Sequence, residues 1–226
     1  MTLAIFDLDN TLIAGDSDHL WGEFLCDRGV VDGEHFRATN AQFFADYERG
    51  DLDIAAYSAF ALGPLTGRTP AEVAPLQAAF MANCIQPLFL PAAEALIEEH
   101  RALNHRPLII TATNEFVTRP IAERLGIDTL LGCAVQMHDG VFTGRATGTL
   151  TYREGKVKRL TEWLDEEGED LRGAWFYSDS HNDLPLLELV DNPVLVDPDE
   201  TLAAVGRERA WPAITLRQGS LKQPLD

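Results

Sequence analysis

The residues able to do chemistry fall in two acidic loops, one threonine and one lysine. The first loop, Asp7-Leu8-Asp9-Asn10-Thr11-Leu12, directly follows the apolar run Leu3–Phe6. Such a run, ending abruptly in polar residues, reads as a buried parallel strand. Two carboxylates two residues apart at the end of a buried strand sit where open α/β sheets bind ligands. They repel one another unless a cation lies between them. The motif alone also fits a surface turn, since Asp and Asn are turn formers. The second loop, Ser178-Asp179-Ser180-His181-Asn182-Asp183, follows another apolar run, Ala174–Tyr177. Between them, Thr111 ends the run Leu108-Ile109-Ile110 and Lys156 lies at the start of a helical segment. Neither is informative alone.

The elements that must position these residues alternate between strand and helix, which predicts a parallel sheet covered on both faces. Leu20, Trp21, Phe24 and Leu25 recur at helical spacing between Ser17 and Gly29. Helical sequence follows to about Phe60, and Gly63-Pro64-Leu65-Thr66-Gly67 breaks it. Thr69-Pro70-Ala71-Glu72 is a capping box that opens a helix to about Asn83. A helix through His100 leads into the strand Leu108–Thr111, and a further helix ends at Leu125-Gly126. Asp139-Gly140 joins two strand-like runs as a hairpin. Helices at about Lys156–Glu166 and Leu184–Val190 flank the strand Ala174–Tyr177; the strand Val194–Val196, a helix and a strand close the chain. The helical stretch between the first two strands is too long for a simple crossover and reads as a separate lobe.

Composition narrows the partners. The chain has 226 residues, 46% hydrophobic and 24% charged, enough for one buried core with an accessory lobe. A net charge of -18 argues against nucleic acid, which needs clustered Lys and Arg. It leaves room for a small anionic substrate, because salt screens a diffuse field while a local cation pocket acts at contact. Cys26, Cys84 and Cys133 are far apart and in no CxxC spacing, so neither a disulfide framework nor a zinc site is expected. No run approaches the ~18 apolar residues of a membrane span, and no basic segment precedes the first apolar run. The cytoplasm is the expected compartment, and nothing in the sequence sets an oligomeric state.

In order and in position, the four features resemble the haloacid dehalogenase superfamily, whose phosphatases carry DxDx[TV] after the first strand. Thr111 matches the lone Ser or Thr that hydrogen-bonds a phosphate oxygen, and Lys156 the family lysine. Residues 178–183 match the metal-binding loop written GDxxxD, with Ser178 in place of Gly. The resemblance implies an α/β fold with a Rossmann-like parallel sheet: a core of residues 1–15 and 88–226, and a helical cap of residues 16–87. It also implies a Mg²⁺-dependent phosphatase acting on a small phosphate ester. Asp7 is the implied nucleophile, already ionised at neutral pH. Asp9 is the implied acid and then base, and Thr11 shapes the loop. Asp7, the Asp9 carbonyl and Asp179 are the implied metal ligands, and Thr111 and Lys156 bind phosphate. Asn182 and Asp183 are expected to orient Lys156 and the ligands. Magnesium prefers oxygen, so His181 is expected outside the ligand set.

The insertion and the motif order look like the phosphoserine-phosphatase-like branch of the superfamily. There an acidic residue just past the first loop faces the substrate's amino group, which points to Asp16, Ser17 and Asp18; one of these is expected to cap the following helix. That branch also carries a cap arginine that pairs with a substrate carboxylate. Aligned through Gly50-Asp51-Leu52, its position falls near Ala61, and the nearest arginines are Arg49 and Arg68. Losing such a clamp removes a few kcal/mol of binding to an amino-acid phosphate. An amine-bearing phosphate without a carboxylate is therefore expected, and the chain resembles bacterial proteins of this branch assigned as histidinol-phosphatases. Trp21, Phe43, Phe44 and Tyr47 are available to flank an imidazole, although most of them read as core. Phosphoserine hydrolysis and phosphotransfer are the competing activities. Dehalogenation needs neither Asp9 nor a metal, and a binding module would have lost a catalytic group.

Overall fold

The computed structural model describes residues 1–217. Its framework is one seven-stranded sheet in the order β4-β3-β2-β1-β5-β6-β7. The strands are β1 (Leu3–Phe6), β2 (Arg106–Asn114), β3 (Thr129–His138), β4 (Val141–Thr147), β5 (Trp175–Ser178), β6 (Asn192–Val196) and β7 (Ala213–Ile214). All neighbours pair in parallel except β3 and β4, the hairpin turned at Asp139-Gly140. Both turn residues take positive φ, 49° and 78°, as a tight two-residue hairpin requires. β1 is central because all four of its residues are apolar and fully buried. Strand periodicity sends Leu3 and Ile5 to one face and Ala4 and Phe6 to the other, so β1 contributes to both cores.

The helices are α1 (Ser17–Asp27), α2 (Gly33–Arg49), α3 (Ile54–Leu62), α4 (Pro70–Phe80), α5 (Pro91–Ala102), α6 (Glu115–Arg124), α7 (Glu154–Glu167), α8 (Leu184–Leu187) and α9 (Glu200–Arg209). On one face Leu160, Trp163 and Leu164 of α7 pack with Leu3, Ile5 and Phe176. On the other, Leu96 and Ile97 of α5 and Val117 and Ile121 of α6 cover Phe6 and Ile109. Trp21 and Phe24 of α1 and Phe80 of α4 join this second core, with ring centroids 5.1–5.8 Å apart. Helices α2 and α3 stack instead on each other through Phe36 and Phe60, 4.2 Å apart, and Phe43 and Tyr57.

Several boundaries differ from the sequence expectation. The helical stretch to Phe60 is two helices, because Gly50 ends α2 at φ 76° and Asp53 accepts the Ala55 and Ala56 amides to start α3. β2 runs to Asn114, three residues past the expected end. α8 stops at Leu187 rather than Val190. The Thr69–Glu72 capping box is formed on both sides.

His100 fixes α5 beneath the site. It is fully buried, with Nε2 2.8 Å from the Tyr177 hydroxyl and Nδ1 2.8 Å from His105 Nδ1. Burial, helped by His105, holds its pKa down at about 4 against an ordinary 6.5. The unfolded chain binds a proton near 6.5 while the folded protein resists until about 4. The unfolded state therefore holds more protons in that window, and the His100 contribution to stability falls as pH drops through it. His100→Gln keeps a hydrogen-bonding partner for Tyr177 but cannot titrate. Urea midpoints between pH 7 and pH 4 should therefore fall less for the variant than for the wild type. Parallel slopes would show that His100 does not carry this pH dependence.

Candidate active site

Strand β1 ends by delivering Asp7, whose amide donates to Tyr177 O at 2.9 Å. The chain then folds tightly: the Thr11, Leu12 and Ile13 amides reach back to Leu8 O, and Asn10 takes φ 57°. Asn tolerates that left-handed conformation better than most residues. Asp7 is buried, and its Oδ1 accepts from Lys156 Nζ at 2.7 Å. Lys156, in the first turn of α7, is also buried, with the two Asp183 oxygens at 2.7 and 2.8 Å. Ser178, at the expected glycine position, donates its hydroxyl to Asp183 Oδ2 at 2.7 Å. Burial alone lowers the Lys156 pKa, but Asp183 and Asp7 outweigh it and the net direction is upward. The lysine is firmly an ammonium.

Asp179, just past β5, comes to the same floor. The Thr11 hydroxyl donates to Asp179 Oδ1 at 3.0 Å and lies 3.5 Å from Asp7 Oδ2, so one buried hydroxyl stands between two carboxylates. Burial pushes Asp7 up to about 7, against the pull of Lys156 and with Asp183 and Asp9 adding to the rise. Asp179 is only partly buried, yet its carboxyl is raised well above the ordinary range by its enclosure, then by Asp7 and Asp183. Convergent carboxylates that resist ionisation are the electrostatic signature of a place that favours a cation. The donor atoms are all oxygen, which suits magnesium. Among the described residues no three His, Cys, Asp or Glu side chains group as a metal cage. Asp7, Asp179 and the Asp9 carbonyl would supply three oxygens, a set that fits an ion such as magnesium that keeps several waters.

Asp9 points the other way. Its Oδ1 accepts the Ser17 amide at 2.6 Å and its Oδ2 the Thr113 hydroxyl at 2.8 Å, with the Thr111 hydroxyl at 3.5 Å. Burial, then Asp16, raises its pKa to about 6, while the Ser17 and Thr113 hydrogen bonds oppose the rise. A carboxyl poised there can hold or release a proton near neutral pH. Thr111 is 1% exposed and lines the pocket beside Asp7 and Asp9. Thr113 was not singled out from sequence, yet strand alternation puts it on the Thr111 face, a legible signal once β2 extends past Thr111.

The pocket wall comes from the helices inserted after β1. Asp16 caps α1, accepting from His19 N at 2.7 Å, and Asp18 accepts from Asn114 Nδ2 at 3.1 Å. Both line the pocket, and burial raises both carboxyls, Asp18 strongly with Asp16 and Asp9 adding. Phe43, Phe44, Tyr47 and Tyr57 also line it, whereas Trp21 is core. The expectation that most of the four aromatic candidates are core is therefore corrected: α2 turns three of them inward. None of the described residues lining this pocket is Lys or Arg. Ala61 is buried outside the lining, Arg49 pairs with Asp46, and Arg68 is exposed.

The second acidic loop also holds α2. Asn182 Nδ2 donates to Tyr47 O at 3.0 Å, its Oδ1 accepts from the Tyr152 hydroxyl at 3.0 Å, and Tyr47 OH donates to Ser180 Oγ at 3.3 Å. Arg153 donates to Gly50 O at 2.9 Å. Asp183 contacts Lys156 as expected, but Asn182 does not; its side chain is spent on α2 and Tyr152. His181 turns away to Asp199, Nδ1 to Oδ2 2.8 Å, outside the carboxylate floor.

Comparisons with known proteins show the family. The sequence matches the haloacid dehalogenase-like hydrolases over residues 4–188. The chain belongs to that family. It is 42% identical to a histidinol-phosphatase of Neisseria meningitidis serogroup C, covering 95% of this chain and 99% of that protein. It is 33% identical to a phosphoserine phosphatase of Mycobacterium tuberculosis, over 92% of this chain and 68% of the other. A crystal structure of a protein of unknown function from Bordetella pertussis Tohama I superposes with a TM-score of 0.88 at 38% identity, covering 94% of this chain and 98% of that one. The chain is a phosphatase of this family, and no helix among the described residues is long and apolar enough to cross a membrane.

Replacing the buried ammonium tests the floor. Lys156→Met leaves Asp7 and Asp183 without their counter-charge, a loss of about 3–5 kcal/mol for a broken buried pair. Chemical denaturation at pH 8 should show it, and the deficit should shrink at pH 5, where Asp7, raised to about 7 by burial, takes up a proton. An undiminished deficit at pH 5 would assign the loss to packing.

Proposed function

We propose that the enzyme hydrolyses a small amine-bearing phosphate monoester that lacks a carboxylate, histidinol phosphate above others, through an aspartyl-phosphate on Asp7. The observation that carries this reading is the pocket wall: Asp16 and Asp18 line the site, and among the described residues no Lys or Arg does. An ammonium finds a partner there and a carboxylate does not. The similarity to the Neisseria histidinol-phosphatase over nearly the full chain supports the same choice.

In this reading the Asp7 oxygen not held by Lys156 attacks phosphorus, and Lys156 stabilises the charge on the phosphoryl oxygens. Thr111 donates to one of those oxygens. Asp9 gives its proton to the departing alkoxide, then takes one from the water that hydrolyses the aspartyl-phosphate. Asp7, Asp179 and the Asp9 carbonyl would hold Mg²⁺, which offsets the repulsion between a phosphate dianion and the carboxylate floor. Asp183 keeps Lys156 in place. Residues 16–87 form the cap, with α2 and α3 closing over the pocket so that only a small substrate fits. Three unpaired cysteines suit a reducing cytoplasm.

Asp7→Asn should fold normally and lose turnover, because the amide does not attack; acid quenching of the wild type should yield a phosphorylated peptide containing Asp7. A chelator should abolish activity and Mg²⁺ restore it, with Asp179→Ala weakening the rescue. Normal turnover by Asp7→Asn would sink the nucleophile assignment.

Substrate choice is tested separately. An unpaired buried carboxylate costs several kcal/mol, so kcat/KM for histidinol phosphate should exceed that for phosphoserine by about a hundredfold or more. Equal or better turnover of phosphoserine would overturn the substrate, not the phosphatase.

A further inference from the structure

Beside the two acids, the pocket wall carries a histidine whose tautomer is fixed by its surroundings. His19 lines the pocket and packs against Phe44, ring centroids 4.9 Å apart. Its neighbour Asn40 is 2% exposed and places Nδ2 3.1 Å from the His19 backbone oxygen and 3.1 Å from His19 Nδ1. A carbonyl oxygen only accepts, so the Asn40 atom facing it must be the amide nitrogen. That nitrogen carries two hydrogens, one for the carbonyl and one for Nδ1. Nδ1 is therefore an acceptor, and the ring proton resides on Nε2. Nε2 bonds to none of the described residues.

The arrangement is built rather than incidental. Asn40 fits against α1 only because residue 22 is glycine: a Cβ there would lie 2.6 Å from Asn40 Nδ2. A buried amide with both hydrogens committed is a rigid support for the ring. Asp16, Asp18 and His19 thus share one wall, and the His19 ring carries its single N–H at Nε2.

We infer that His19 determines specificity in this site by donating its Nε2–H to an acceptor on the leaving group, such as the unprotonated nitrogen of an imidazole. The inference rests on the substrate reading above and deepens it. The preferred substrate combines an ammonium for the acids with a separate neutral acceptor for His19. A bare aminoalkyl phosphate such as phosphoethanolamine fills only the first requirement.

Two variants separate the donor from the ring. His19→Phe keeps the contact with Phe44 and removes the donor; His19→Gln places an amide N–H where Nε2–H was. One lost hydrogen bond to a buried acceptor is worth about tenfold. His19→Phe should therefore lower kcat/KM for histidinol phosphate about tenfold more than for phosphoethanolamine, mostly through KM, and His19→Gln should recover most of the difference. Equal losses on both substrates, or no recovery by glutamine, would overturn the assignment. A second measurement does not depend on the substrate. ¹⁵N NMR of the free enzyme should show His19 as the Nε2–H tautomer, and Asn40→Ala should weaken that preference. An Nδ1–H tautomer in the wild type would refute the inference even if histidinol phosphate is hydrolysed. If histidinol phosphate is not hydrolysed while the Nε2–H tautomer is found, the substrate reading fails and the oriented donor stands.

Discussion

Everything in this site depends on one buried ammonium set among too many carboxylates. Lys156 is held by Asp7 and Asp183 with almost no solvent access, Asp179 shares that floor, and Asp9 lies close enough to add its charge. Four acids against one base are more than the floor holds ionised together, which is why burial and mutual repulsion raise the Asp7, Asp9 and Asp179 carboxyls. Low-dielectric surroundings magnify both the attraction that holds the lysine and the repulsion that remains. The sheet is what makes such an assembly tolerable. Asp7 leaves the end of β1, Asp179 the end of β5, and Lys156 the start of α7, and parallel pairing of β1 with β2 and β5 fixes these ends together. Two apolar cores, one on each face, supply the free energy that offsets the concentrated charge.

Most of the floor was legible in the sequence because strand ends are legible. An apolar run that stops at Asp7 or Ser178 announces both a buried strand and where its first polar side chains go. Regular spacing also revealed α1, the Thr69 capping box and the Asp139-Gly140 hairpin. What was not legible arises from contacts between segments far apart in the chain. Nothing near Asn182 in sequence says that its amide is spent on Tyr47 O. Nothing near Asn40 says that it packs against His19 through the space left by Gly22. The reading of Phe43, Phe44 and Tyr47 as mainly core failed for a related reason. Hydrophobicity records that an aromatic ring avoids water, not whether it faces a sheet or a substrate pocket. The extent of β2 was missed because threonines at a strand end resemble the start of a loop.

The wall and the floor divide the work of recognition. The floor, which the proposed mechanism uses for phosphate transfer, is assembled at the strand ends of the sheet. The wall is assembled from α1, α2 and α3, whose rings pack partly on one another and only at α1 on the sheet core. Uncharged positions of the wall can change without disturbing the charge balance beneath, whereas Asp16 and Asp18 are coupled to Asp7 and Asp9. That separation explains how relatives named for different phosphate esters share one framework.

The hydrogen bonds from the second acidic loop to the end of α2 have a further mechanical consequence. Tyr47 meets Ser180 and Asn182, while Gly50 O receives Arg153, three residues before Lys156 in the chain. The end of α2 is thus stitched to the very loop that carries Asp179 and Asp183. Lifting the end of α2 away from the sheet must break these stitches and unload that loop. Access for a ligand and order in the loop beneath it are two readings of a single coordinate.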